Sequence, residues 1–218
     1  HYYRPVIVIS KGEEFDKGSG RSIEGYNIFE NLSANKELFV KFGGHKMAAG
    51  LSIERKNIDI LRKRLNENCS LTEKELTEVI RIDKAISLSE ITLELACELE
   101  IMRPFGQENT QALFATKNVI VKNIRYVGVN GNIIQFVFSD EDGNEVRGIS
   151  FKGFEKFKKY VEYNFDDDLK EEILSGFIKN AVLCLDIVYT IEINEYNDNK
   201  NVQLILKDFR KSAVWFIE

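Results

Sequence analysis

The texture of the chain changes at Pro104-Phe105-Gly106, and this change constrains the fold more than any other feature of the sequence. Beyond it, apolar residues come in short alternating or β-rich runs: Phe114 to Tyr126, Ile133 to Ser139, Val146 to Phe151, Val182 to Ile193 and Val202 to Leu206. Asn130-Gly131 and Asp142-Gly143-Asn144 fall between such runs and are hairpin signals. A single helical pattern, Phe154 to about Tyr163, interrupts them. Five strand groups with one helical insert suggest a small β-barrel, for which an OB-type fold is one architecture.

Ahead of Pro104 the pattern is mixed. Val6-Ile7-Val8-Ile9 is a continuous β-branched run and predicts a buried strand rather than a half-exposed one. Lys11 to Gly20, charged and glycine-rich, predicts a loop. Tyr26, Phe29 and Leu32 predict one short helix, and Leu38, Phe39 and Phe42 a second, ended by Gly43-Gly44. Met47 to Ile53 reads as a strand. Asn57 reads as the cap of a helix with Ile58, Leu61 and Leu65 on its apolar side. Val79 to Ile86 predicts a strand leading into a helix from Ser89 to about Met102. The class expected is α+β, with domains at 1–82 and 110–218 and a helical connector at 83–109.

Net charge is -5, an unpromising balance for a polyanion ligand. Its distribution is uneven: residues 1 to 64 hold 12 Lys+Arg against 8 Asp+Glu, and the remainder 18 against 27, giving +4 and -9. A polyanion site is therefore expected early in the chain. The apolar stretch from Ile178 to Val188 is broken by Lys179, Asn180 and Asp186, and no run is long enough to cross a bilayer as a helix. Cys69, Cys97 and Cys184 are widely spaced, suggesting neither disulfides nor a zinc site, so a cytoplasmic setting is expected. The sequence starts without Met or a signal-like segment and reads as a piece of a longer chain.

Two motifs carry possible chemistry. In Gly43-Gly44-His45, two glycines would let the backbone approach a phosphate while the imidazole contacts its oxygens. Alone, the motif reads sooner as a helix end with an exposed histidine, because short glycine motifs recur by chance. Ser19-Gly20-Arg21-Ser22 offers two hydroxyls, flexible backbone N–H groups and a guanidinium, a set suited to phosphate oxygens, or else a surface turn with a helix cap at Ser22. Arg62, Lys63 and Arg64 read as a solvated helix face. Phe136, Phe138, Phe151, Phe154, Phe157, Tyr160 and Tyr163 could stack on bases, although core packing accounts for most of them.

Three segments together resemble a known family: Gly18 to Asn27, Lys41 to Gly50, and Leu99-Glu100 with Arg103-Pro104-Phe105-Gly106 and Asn109. The second is similar to the Gly-Gly-His-x-x-Ala-Ala-Gly signature of the DHH-associated domain, common to the DHH phosphoesterase superfamily. The first and third resemble RecJ-type single-strand-specific exonucleases, and the later strands resemble the OB-type domain of that family. Glu108-Asn109-Thr110-Gln111-Ala112 departs from the family's Gly-Asn-Pro-x-Pro.

The resemblance implies a truncated α/β DHH-associated domain followed by an OB-type barrel, the DNA-binding part of a 5′ to 3′ exonuclease of repair and recombination. It implies His45 positioned over the scissile phosphate, and Ser19, Gly20, Arg21, Ser22, Gly43 and Gly44 against the DNA backbone. The Mn or Mg of the complete enzyme would be held by an Asp-His-His domain. This sequence has only His1 and His45, so no metal ligands and no cutting are expected of it alone. Single-stranded DNA is the expected partner, with a single-strand-binding protein or other repair proteins as further ones. Two rival readings are another DHH-superfamily phosphodiesterase, such as an oligoribonuclease or small-nucleotide phosphodiesterase, and a non-catalytic interaction module.

Overall fold

The structure, a computed structural model, describes residues 3–176, 178–179, 182–196 and 198–213. His1 and Asn180, named above, lie outside them. The chain divides into two compact units, residues 1–80 and 81–218.

The first unit is a four-stranded antiparallel sheet, β1 (Val6–Ser10), β2 (Asp16–Arg21), β3 (Phe39–His45) and β4 (Ala48–Ile53), in the order β1-β2-β4-β3. One face is covered by α1 (Ile28–Ser33) and α2 (Ile58–Glu67). Ala49, Leu51 and Ile53 of the sheet are buried with Ile28 and Leu32 of α1 and Leu61 of α2, while Ile7, Ile9 and Phe42 pack around them.

Four expectations for this unit are corrected. Lys11 to Gly20 is not all loop, because Asp16–Arg21 forms a strand with neighbours on both sides. Gly18 and Gly20 are its inward residues, and a Cβ at either would come within 2.7 Å of Leu51 or Ile28, so these glycines answer a packing demand rather than a turn. Leu38 to Phe42 is not a helix: a 3-10 turn at Lys36–Leu38 leads into β3. A register shift between Phe39 and Lys41 places Phe39 and Phe42 together, ring centroids 5.3 Å apart. A β-bulge thus brings residues three apart onto one face, the spacing that mimics a helix. β1 is an edge strand covered on one side, and Val8 is 68% exposed. Asn57 does not cap α2 with its side chain; its Nδ2 donates to the Leu38 carbonyl at 3.2 Å and ties the helix to the turn before β3.

The Asp16 carboxylate is buried at the start of β2, where it accepts from Arg55 Nη2 at 2.8 Å, Arg55 Nε at 3.0 Å and the Gly12 N–H at 3.0 Å. The Arg55 bonds, and after them the Gly12 amide, hold its pKa at about 2. A depressed carboxylate pKa means the folded state binds this proton less readily than the unfolded state. The stabilisation is therefore whole above about pH 4 and is lost as pH falls through about 2. In melts between pH 2 and 5 the wild-type midpoint is expected to fall more steeply than that of Asp16→Asn. Parallel slopes would contradict this role.

The second unit is a closed five-stranded barrel. Its strands are β6 (Phe114–Val127), β7 (Ile133–Ser139), β8 (Glu145–Ser150), β9 (Cys184–Tyr196) and β10 (Asn199–Lys211). They run β6-β7-β8-β10-β9 and close through β6–β9, with β8 and β10 parallel. Two helices, α4 (Phe154–Asn164) and α5 (Asp167–Ser175), lie between β8 and β9. Only one was expected there, because Asp166-Asp167-Asp168 reads as an acidic run. Asp166 is the N-cap of α5, accepting from the Leu169 N–H at 3.0 Å, and the other two sit in the first turn, where negative charge favours the helix.

Ile134, Phe136, Phe138, Leu185 and Leu204 fill the barrel, with Phe157 and Val161 of α4 against them. The expected strand at Val79 to Ile86 shrinks to β5 (Lys84–Ala85), paired in parallel with β6, and Val79, Ile80 and Ile82 are exposed. The expected helix from Ser89 becomes a 3-10 turn at Leu88–Glu90 followed by α3 (Leu93–Ile101). Ile86, Leu88 and Ala96 of this segment belong to the barrel core. Tyr189 anchors it: the Tyr189 hydroxyl meets Thr116 Oγ1 at 2.7 Å, and Thr116 Oγ1 donates to the Ile86 carbonyl at 2.8 Å.

Candidate nucleic-acid interface

In an antiparallel sheet, paired residues point to the same side, so the register of the first unit assigns each side chain to a face. One row across the open face is Val6, Arg21, Ala48 and His45; the next is Val8, Ser19, Gly50 and Gly43. A third is Ser10, Lys17, Ser52 and Lys41. Gly50 and Gly43 are paired neighbours, and a Cβ built on either meets nothing within 4 Å, so they floor an open shallow groove. Arg21 and His45 stand at one end of it and Lys17 and Lys41 at the other. No Asp or Glu occupies any of these outward positions.

Four of the seven residues singled out from sequence meet on this face. Arg21 lies folded beside Ser19, its Nη1 3.3 Å from Ser19 Oγ and donating to the Gly20 carbonyl at 2.8 Å. Gly43 lies in the groove floor. The His45 imidazole accepts the Met47 N–H on Nδ1 at 3.3 Å, which leaves Nε2 as the outward donor to a ligand oxygen.

The other three residues are placed elsewhere. Gly20 is buried against Ile28. Gly44 points inward with φ +152°, and a Cβ there would lie 2.3 Å from the Ala48 carbonyl oxygen, so the site needs glycine for the hairpin itself. Ser22 is spent locally: its hydroxyl donates to the Tyr26 carbonyl at 2.5 Å and its N–H to the Met47 carbonyl at 2.9 Å. The expected backbone N–H contacts at Ser19 to Arg21 are also unavailable, because β2 is flanked by β1 and β4 and its amides serve the ladders. Side chains, rather than a loop of amides, are what this face offers a phosphate.

The face also carries Lys17, Lys41 and Ser52, which the sequence motifs do not single out as candidates, and Gly50 of the Lys41 to Gly50 segment lies in its floor. The signal was present: Lys17-x-Ser19-x-Arg21 and Lys41-x-Gly43-x-His45 alternate with period two. The glycines of the first segment and the Gly43-Gly44 pair of the second mask it, since they signal a loop and a helix end.

The barrel's outward β7 and β8 positions carry Ile133, Gln135, Val137, Glu145 and Arg147. Phe136 and Phe138 point inward, stacked at 5.1 Å, so neither ring is presented on this face. Of the aromatics singled out, Phe151 and Tyr163 are exposed. A cleft of about 520 Å³ in the first unit, lined by Ile7, Ile58, Leu65, Leu71 and Leu76 among others, is apolar and gathers no catalytic set.

Residues 82–208 match the RecJ OB domain, and residues 1–71 match the DHHA1 domain. A barrel of OB type preceded by a DHH-associated domain is the class that this fold and this glycine-floored face define. The chain belongs to the RecJ family. It is 33% identical over 211 residues to the single-stranded-DNA-specific exonuclease RecJ of Bacillus subtilis, covering 95% of this chain and 24% of that protein. With the Escherichia coli enzyme of the same name it shares 30% over 212 residues, 94% of this chain and 33% of that one. The chain thus spans about a quarter to a third of the length of these curated relatives.

RecJ of Thermus thermophilus in complex with Mn2+ superposes with a TM-score of 0.67 at 18% identity, over 97% of this chain and 27% of that one. The Mg2+ complex gives 0.66 over 97% of this chain and 29% of that one. Both show the same fold. Among the described residues no group of three His, Cys, Asp or Glu gathers.

Proposed function

We propose that this chain is the DNA-gripping part of a single-strand-specific 5′ to 3′ exodeoxyribonuclease of DNA repair and recombination, working in the cytoplasm. Its outer sheet face holds the phosphate backbone, and metal-assisted hydrolysis occurs on residues outside the 218 of this sequence. The observation that carries the reading is the placement of Ser19, Arg21 and His45 on one face around the Gly43–Gly50 floor, with no Asp or Glu at the outward strand positions. A guanidinium and an imidazole N–H are charge-assisted and neutral donors of the kind phosphoryl oxygens accept. Ser19 adds a hydroxyl beside the guanidinium.

The match to the RecJ OB domain over 82–208 favours this reading over a small-nucleotide phosphodiesterase that shares only the Gly-Gly-His signature. Single-stranded DNA is the partner the face suits. A single-strand-binding protein or another repair protein would meet the barrel, whose half of the chain carries the acidic excess.

In the complete enzyme with Mn or Mg, His45→Ala is expected to lower exonuclease turnover on a 5′-phosphorylated single strand by roughly 10²-fold, as loss of one preorganised donor does. Its melting curve should not change, because His45 is exposed and makes a single 3.3 Å contact. Wild-type turnover in this variant would remove the site from the mechanism. The 218-residue chain by itself is expected to bind and not to cut.

A further inference from the structure

We infer that Lys17 and Lys41, with Ser52 between them, form a second phosphate subsite, so that the sheet face grips two separate backbone phosphates of one strand rather than a single one. The inference rests on the reading of the face as a DNA-binding surface and extends it along the strands.

β2 and β3 run in the same direction, each antiparallel to the β4 between them. Lys17, Ser19 and Arg21 on β2 therefore march alongside Lys41, Gly43 and His45 on β3. The pairs Arg21/His45 and Lys17/Lys41 are each spread across two strand spacings, roughly 10 Å. They lie four residues apart along the strands, roughly 13 Å, with the glycine floor halfway between. A polynucleotide laid along the strands over Gly43 and Gly50 would enter the reach of the lysine row after the arginine row.

The lysine row is built for an anion. Lys17 and Lys41 are exposed, and neither has a carboxylate partner among the described residues, whereas Lys56 pairs with Glu54 at 2.6 Å, Lys63 with Glu67 at 3.8 Å and Lys84 with Glu90 at 3.4 Å. The sequence as a whole is acidic, at -5, yet the outward positions of β2, β3 and β4 carry only Lys, Arg, His, Ser, Ala and Gly. The bulge at Val40 is what turns Lys41 outward opposite Ser52; without it the lysine would face the core.

The test is fluorescence anisotropy of a 5′-phosphorylated oligothymidylate with the 218-residue chain over a salt series. Four proteins are compared: wild type, Arg21→Ala, Lys17→Ala/Lys41→Ala, and Lys56→Ala/Lys63→Ala. The last removes the same charge from the side of the unit away from this face. For single strands each phosphate contact contributes about 0.7 to the slope of log K against log salt. The Lys17→Ala/Lys41→Ala variant is expected to bind roughly tenfold more weakly at low salt, with the slope shallower by about 1.4. The Lys56→Ala/Lys63→Ala control should stay close to wild type.

If Arg21→Ala weakens binding while Lys17→Ala/Lys41→Ala matches the control in affinity and slope, the second subsite is overturned and the first stands. If Arg21→Ala has no effect, or the wild-type chain fails to bind at the lowest salt, the reading of the face falls and the subsite falls with it.

Discussion

Arg21→Ala is expected to weaken binding of a 5′-phosphorylated single strand by roughly ten- to hundredfold, the loss that follows removal of a charged hydrogen-bond donor to phosphate. The effect should appear in binding and not in folding. The guanidinium lies on the open face, its two contacts are to Ser19 Oγ and the Gly20 carbonyl, and no core residue touches it in either contact. Anisotropy with 5′-phosphate and 5′-hydroxyl strands, run beside a thermal melt, checks both halves. Unchanged affinity would mean that the arginine serves only as a surface residue of β2. Arg21→Lys is expected to recover part of the loss, because it restores the charge without the planar fork.

Phe136→Ala is expected to destabilise the second unit by about 3–5 kcal/mol, the range for truncating a buried phenylalanine. Phe136 is 2% exposed, stacks on Phe138 and meets the edge of Phe157 at 5.4 Å, so its ring joins the barrel strands to α4. The site has little freedom to collapse. A Cβ on Gly148 would already lie 2.6 Å from the Phe138 ring and 2.7 Å from Leu206, which shows how closely that layer is packed. A single domain has only about 5–15 kcal/mol to lose, so the urea midpoint should fall by a large fraction. Phe151→Ala, at a half-exposed ring after β8, should stay within about 0.5 kcal/mol of wild type. Similar small shifts for both would contradict an inward Phe136 and return it to the surface as a stacking residue.

The barrel was legible in the sequence because each of its strands buries one face and alternates to match. Ile133 to Ser139 carries that alternation and is β7 to the residue. The sheet of the first unit was harder, for two local reasons. Its central strand β2 carries glycine where a strand usually carries a β-branched residue, since Leu51 and Ile28 already fill the space above Gly18 and Gly20. Its β3 is bulged at Val40, which shifts the apolar spacing from two towards three. Both features lower strand signals while leaving the strands well packed.

The site followed the same logic. Ser19, Arg21, Gly43 and His45 stand out in the sequence as candidates because motif chemistry does not depend on the secondary structure assigned to it. Lys17 and Lys41 do not stand out, because only a period-two reading shows that they share that face. Gly20, Gly44 and Ser22 belong to the same motifs but support the strands and the hairpin from within.

The most direct measurement is NMR shift mapping of the chain against a short 5′-phosphorylated single strand at low salt. The expected result is a contiguous set of perturbed signals from the outward residues of β2, β4 and β3, with Arg21 and His45 at one end and Lys17 and Lys41 at the other. Perturbations confined to the outward face of β7 and β8, or none at all, would contradict the assignment of the grip to the glycine-floored sheet.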